Sequence, residues 1–192
     1  MKQKHLVIDT YKFEELSQDV KDKLISQELD YSSYINAEFF TETCQELLAN
    51  NLGSDLSLEY SLNYCQGDGV AFYGKLDNDI LLNSTRLSDS AKKTLRRLTD
   101  SIDIFIAKSS YGHWYSHYNT MYVDIYPSFN TGEYKHIDLK LEALELELTE
   151  IKTDISKELE EYGYKVFYDY DGTIDYIIEL DYDYTIDGKI VD

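Results

Sequence analysis

The amino-acid pattern predicts an α+β protein: a four-stranded, mainly antiparallel sheet with packed helices and a long amphipathic C-terminal helix. Three observations carry this. Leu56, Leu58, Tyr60, Leu62 and Tyr64 alternate with Ser57, Glu59, Ser61 and Asn63, the period of a half-buried strand. Ile102, Ile104 and Ile106, then Met121, Val123 and Ile125, repeat that alternation. From about residue 137 the period becomes helical: Ile137, Leu141, Leu144, Leu148, Ile151, Ile155, Leu159 and Tyr162 recur at spacings of four and three, one apolar stripe along a helix.

The remaining elements follow in chain order. Residues 4–9 read as a short first strand. Ser17 precedes Asp19, Val20, Leu24 and Ile25, an N-cap ahead of an acidic first turn and helical apolar spacing. A second helix is expected from about Ser33 to Asn51, with Ile35, Phe39, Phe40, Cys44, Leu47 and Leu48 on one broad face and Gly53 as its stop. Gln66-Gly67-Asp68-Gly69 is a turn with two residues suited to positive φ, and Val70–Gly74 returns from it to complete a hairpin. A short basic helix at about 88–98, capped by Ser88, carries Lys92, Lys93, Arg96 and Arg97. The fourth strand ends near Pro127. Gly163 is placed to stop or kink the long helix. A further helix near Thr173–Leu180, a closing strand near Tyr182–Ile186 and a turn at Asp187-Gly188 complete the chain. The long stripe is expected to pack on the sheet; a coiled-coil homodimer seam is the alternative.

No repeat or linker interrupts the chain, so residues 1–192 read as one domain with an acidic helical third from about 137 to 192. A chain this long buries roughly 70% of its unfolded surface, enough for a core without disulfides or metals. Cys44 and Cys65 are the only cysteines and read as core thiols in a reducing cytoplasm. There is neither a run of about 18 apolar residues for a membrane span nor an apolar core for a signal peptide in Met1–Asp9.

Charge narrows the function. Thirty-seven acids stand against 18 bases, a net charge of −19. Direct nucleic-acid binding needs the opposite sign, and an anionic membrane surface is disfavoured for the same reason. A polyanion suits solubility or a basic partner. From Asp138 to Asp192 there are 17 Asp or Glu and 5 Lys, so most of the excess lies in the last third. There Asp169, Asp171, Asp175, Glu179, Asp181 and Asp183 interleave with Tyr168, Tyr170, Tyr176 and Tyr182. Dense like charge destabilises a fold. Carboxylates held rigidly could imitate phosphates and be accepted by a groove lined with Lys and Arg. The 19 tyrosines add rigid amphipathic contact area of the kind enriched at recognition surfaces. These ten residues are the candidate partner-binding face, with a basic nucleic-acid-binding host protein as the partner.

A secondary site is conceivable at Gln66, Asp68, His113 and His117. Two glycines beside Asp68 would let a ligand approach the backbone, and the histidines could join Asp68 around a metal. No third soft ligand accompanies them, so neither a catalytic metal nor a cofactor is expected. There is no phosphate-binding lysine loop or dinucleotide fingerprint, and no serine in a nucleophile elbow.

Several stretches resemble a family of phage and prophage proteins. They are Tyr11–Ser17, the turn and strand Gln66–Gly74, Gly112-His113-Trp114-Tyr115-Ser116-His117, Leu159–Tyr162 and Tyr184–Lys189. Cys65 departs from the serine expected before the turn. Members of that family carry at most a loose antitoxin label and no assigned catalytic residues. The resemblance implies a phage setting, the cytoplasm of a bacterial host, and by analogy an anti-defence role of the anti-CRISPR kind. Three functions are therefore weighed: an inhibitor of a host defence nuclease (a CRISPR effector or restriction enzyme), an antitoxin-like protein, and a small metal-dependent hydrolase using Asp68, His113 and His117.

Overall fold

Five α-helices and one four-stranded antiparallel sheet are formed by the described residues of the computed structural model, which are 9–109, 115–129 and 135–191. Helix α1 spans Gln18–Asn51, strands β1 and β2 Leu56–Ser61 and Gly69–Lys75, and helices α2 and α3 Asn78–Asn83 and Asp89–Leu98. Strands β3 and β4 follow at Ile102–Lys108 and Met121–Pro127, then α4 at Lys135–Phe167 and α5 at Tyr170–Glu179. The α+β class, the hairpin and the long C-terminal helix are as the sequence predicts. The strand expected at 4–9 lies largely outside the described residues, as do His113 and Trp114.

The chain groups into two compact units. A central unit takes residues 39–164, and a terminal unit takes 1–38 together with 165–192. Neither long helix is confined to one unit, which is why no linker marks the division.

In the central unit the sheet order is β1-β2-β3-β4. Leu56 pairs with Gly74 and Ser61 with Gly69; Ile102 pairs with Pro127 and Lys108 with Met121. Period-two alternation turns Ile102, Ile104, Ile106, Met121 and Val123 into the core while Asp103 and Tyr122 stay outside. The stripe of α4 is buried by its own chain from Leu141 to Leu159, so it is not left free as a dimer seam. Two polar side chains of that helix bond to main-chain carbonyls of the central unit. Ser156 Oγ donates to Val70 O, and buried Lys152 donates to Tyr118 O and Met121 O at 2.9 Å each. Burial lowers the Lys152 pKa, and its two carbonyl acceptors replace the water it lost.

Several expectations are corrected. The two N-terminal helices are one, because residues 26–32 contain no Gly or Pro to break the run. Ser32 and Ser33 instead return their hydroxyls to Leu29 O and Asp30 O. The face expected to be buried is narrower than its apolar residues: Phe40, Cys44 and Leu48 are buried, whereas Ile35 and Phe39 are 64% and 57% exposed. Gly163 does not stop α4, which continues to Phe167. It is buried, and a Cβ there would stand 2.4 Å from Leu62 Cδ1 and 3.0 Å from Phe40. The glycine serves close packing. The closing strand is only a pair of bridges, Tyr184 with Tyr11 and with Ile190. Cys65 is exposed, unlike buried Cys44, whose thiol burial pushes up to about 12.

The terminal unit has its own core of Phe13, Leu16, Ile25, Ile177 and Tyr184, joined by Val20, Leu24 and Ile174. Helix α5 starts at Asp169, whose Oδ1 accepts the Gly172 N–H at 3.0 Å. Among the described residues no helix is long and apolar enough to cross a membrane.

Candidate partner-binding face

The turn containing Asp68 uses its carboxylate completely. Oδ2 accepts from Asn63 N (2.6 Å), Cys65 N (2.8 Å) and the Tyr164 hydroxyl (2.9 Å). Oδ1 accepts from Ser61 Oγ (3.1 Å) and Cys65 Sγ (3.0 Å). A carboxylate offers about four lone-pair sites, so five donors saturate it. Desolvation pushes the Asp68 pKa up, but the hydrogen bonds, led by those of Cys65, outweigh it and hold the carboxyl well below its ordinary range. Burial, and then the bond to Asp68, pushes Tyr164 up to about 12. Tyr64, at a positive φ of 54°, stacks on Tyr164 with centroids 4.5 Å apart. This is a knot between the hairpin loop and α4, with no acceptor left over for a base or a metal.

The glycines of this turn have a local purpose. Gly67 and Gly69 take φ of 94° and 149°. A Cβ on the first would lie 2.1 Å from the Tyr115 ring, and on the second 2.6 Å from His117 Cβ. The chain's own Tyr115–His117 segment thus occupies the approach that the sequence reserved for a ligand. The turn and His117 are brought together, but His117 Nδ1 accepts the Asn119 N–H at 3.0 Å and caps a 3-10 turn. Gln66 is exposed, and His113 lies outside the described residues. Glu160 is nearby. Burial raises its pKa. Among the described residues no group of three or more His, Cys, Asp or Glu is arranged to hold a metal ion.

The acids of the terminal unit are handled differently. All ten residues of the predicted face are exposed: Tyr168, Asp169, Tyr170, Asp171, Asp175, Tyr176, Glu179, Asp181, Tyr182 and Asp183. They do not share one role. Asp169 is the α5 cap. Asp181 and Asp183 hold Lys12 at 2.9 and 3.1 Å, and these two partners, Asp181 first, raise the Lys12 pKa. The Tyr170 hydroxyl donates to Asp22 at 3.0 Å. The remaining three acids, Asp171, Asp175 and Glu179, follow one another at four-residue spacing along α5 and make no ion pair among the described residues. Four residues of helix advance about 6 Å, so the three carboxylates form a ladder about 12 Å long. It lies on the flank turned away from buried Ile177. Like charges at this spacing destabilise a helix, and α5 contains no Lys or Arg to offset them.

Residues 1–38 and 165–192 hold 16 acids against 7 bases, and residues 39–164 hold 21 against 11. The terminal unit thus has nearly the same net charge on about half the residues. The cations of the central unit are concentrated on α3, where Lys92, Lys93, Arg96 and Arg97 make no ion pair among the described residues; Arg96 and Arg97 sit in its last turn, where they complement the helix dipole.

The sequence located the acidic face but missed Lys12 as its internal counter-ion. The pair bridges 169 positions, a separation at which a sequence carries no pairing signal. No protein-family model, curated protein or solved structure matches the chain.

Proposed function

We propose that this is a phage-encoded acidic inhibitor that binds a host defence nuclease, a CRISPR effector or a restriction enzyme, and blocks its nucleic-acid groove. The single observation that carries the reading is the unpaired ladder of Asp171, Asp175 and Glu179 on an exposed helix face. Among the described residues Lys12, Lys75, Arg86, Lys108 and Lys189 each take a carboxylate partner, and this row has none. Its like-charge cost is offset when a partner's Lys and Arg accept the carboxylates as they would accept phosphates. Tyr176, exposed on the same helix, adds contact area with little side-chain entropy to lose. The resemblance to phage proteins supports the setting. The saturated Asp68 carboxylate weighs against the hydrolase reading.

The test is DNA cleavage by a panel of purified CRISPR effectors and restriction enzymes with and without this protein. Inhibition of at least one is expected, relieved by excess nucleic acid and abolished by Asp171→Asn/Asp175→Asn/Glu179→Gln. Inhibition that survives neutralisation of the ladder, or a panel left wholly uninhibited, contradicts the reading.

A further inference from the structure

We infer that the groove between residues 28–36 of α1 and the segment 166–176 is a docking cleft for an arginine presented by the basic partner. This rests on the proposed reading and extends it to a second, chemically distinct subsite. The groove has a volume of about 340 Å³. Tyr31, Ile35 and Tyr176 line it at 78%, 64% and 48% exposure. Val166 adds apolar surface, and Glu28 and Asp169 contribute carboxylates. No Lys or Arg is among its lining residues. Both walls are held in place: Asn36 Nδ2 donates to Val166 O at 3.2 Å, and Asp169 caps α5.

Charge complementarity selects the occupant. A nucleic acid or an anionic lipid surface would meet carboxylates without a counter-charge. A second copy of the chain brings another −19. A basic polypeptide is attracted by the same field. Aromatic faces beside carboxylates then select arginine over lysine, because a guanidinium is planar, weakly hydrated, stacks on tyrosine and pairs bidentately with a carboxylate. Lysine, a strongly hydrated point charge without a planar face, gains less from the tyrosines and pairs less specifically with the carboxylates. The sequence pattern placed Ile35 on a buried face, so its exposure in the groove is a feature only the fold reveals.

The experiment compares an oligo-arginine with an oligo-lysine peptide of equal length by fluorescence anisotropy on the full-length protein at low salt. The parent should bind oligo-arginine about tenfold more tightly. Tyr31→Ala/Tyr176→Ala should lose that preference and keep the oligo-lysine affinity. Both side chains are exposed, so the fold should survive; circular dichroism checks this, and Glu28→Gln provides a milder variant that should weaken oligo-arginine binding. Equal affinities in the parent, or a preference that survives loss of both tyrosines, overturns the groove and leaves the ladder standing. Neutralising Asp171, Asp175 and Glu179 should weaken both peptides and keep their ratio. If it weakens neither, the ladder reading fails and the groove stands. Binding of neither peptide by the parent overturns both, and dimerisation of the protein that the two tyrosine substitutions abolish overturns the groove.

Discussion

Asp68 and Asp175 are the same side chain treated in opposite ways. Asp68 accepts five hydrogen bonds from two stretches of the central unit, residues 61–65 and Tyr164. Asp175, between Asp171 and Glu179 in the terminal unit, has no ion pair among the described residues and two like charges one helical turn away. One carboxylate holds its unit together, and the other three are a cost to theirs. A carboxylate spent on folding can therefore be told apart from one left exposed by what its lone pairs are doing. A sequence that shows only Asp and Glu does not make that distinction.

The largest expected effect follows from removing the satisfied acid. Asp68→Ala leaves the Asn63 and Cys65 amides, the Ser61 and Tyr164 hydroxyls and a thiol without their acceptor. A loss of about 2 kcal/mol is expected, read as a fall of about 4–8 °C in melting temperature for a protein this size. An unchanged melting temperature would remove the contrast with the ladder. The pH dependence sharpens it. The Asp68 pKa is depressed in the folded state, so its contribution is full above the ordinary carboxyl value of about 3.9 and is lost as pH falls through the depressed value. The deficit of Asp68→Asn relative to the parent should be constant from neutral pH down to about 4 and narrow below it. A deficit that widens on acidification contradicts the assignment.

Gly163→Ala separates two explanations of one residue. A glycine that merely interrupts a helix would gain about 1 kcal/mol on replacement by alanine. With Leu62 Cδ1 at 2.4 Å from the added Cβ, overpacking of about 1–3 kcal/mol should dominate. Urea unfolding should show a net loss, and a gain would restore the interruption. The smallest effect belongs to the ladder. Asp171→Asn/Asp175→Asn/Glu179→Gln removes two like-charge pairs worth about 0.2–0.5 kcal/mol each, so the variant should be as stable as the parent or slightly more so at low salt. A clear loss would mean that these carboxylates have folding partners after all.

How much of this was legible depended on whether the signal was local. Strands β1 to β4 and α3 with its Ser88 cap could be read from alternation and capping alone. The continuity of α1 could not, because residues 26–32 are mostly polar yet contain no breaker, and a mostly polar stretch inside a helix looks like a loop between two. Exposure of Ile35 and burial of Gly163 depend on which elements pack against them. The terminal unit is assembled from the two ends of the chain, so its core of Phe13, Ile25, Ile177 and Tyr184 had no contiguous signature. At the candidate face, the acids and tyrosines were legible because they are dense. Their division into a cap, a pair on Lys12 and an unpaired ladder was not, because each role depends on geometry.

The most direct test of the account is the salt dependence of binding between three versions of the protein (the parent, Asp68→Ala and the ladder-neutralised variant) and whichever nuclease of the proposed panel the parent is found to inhibit. Exposed charge contacts weaken as the Debye length shrinks from about 10 Å at 0.1 M salt to about 3 Å at 1 M. The account predicts that the parent and Asp68→Ala lose affinity along the same steep slope. The variant lacking Asp171, Asp175 and Glu179 charges should start weaker and fall along a shallower one. Three coincident slopes, or a shallower slope for Asp68→Ala alone, would contradict it.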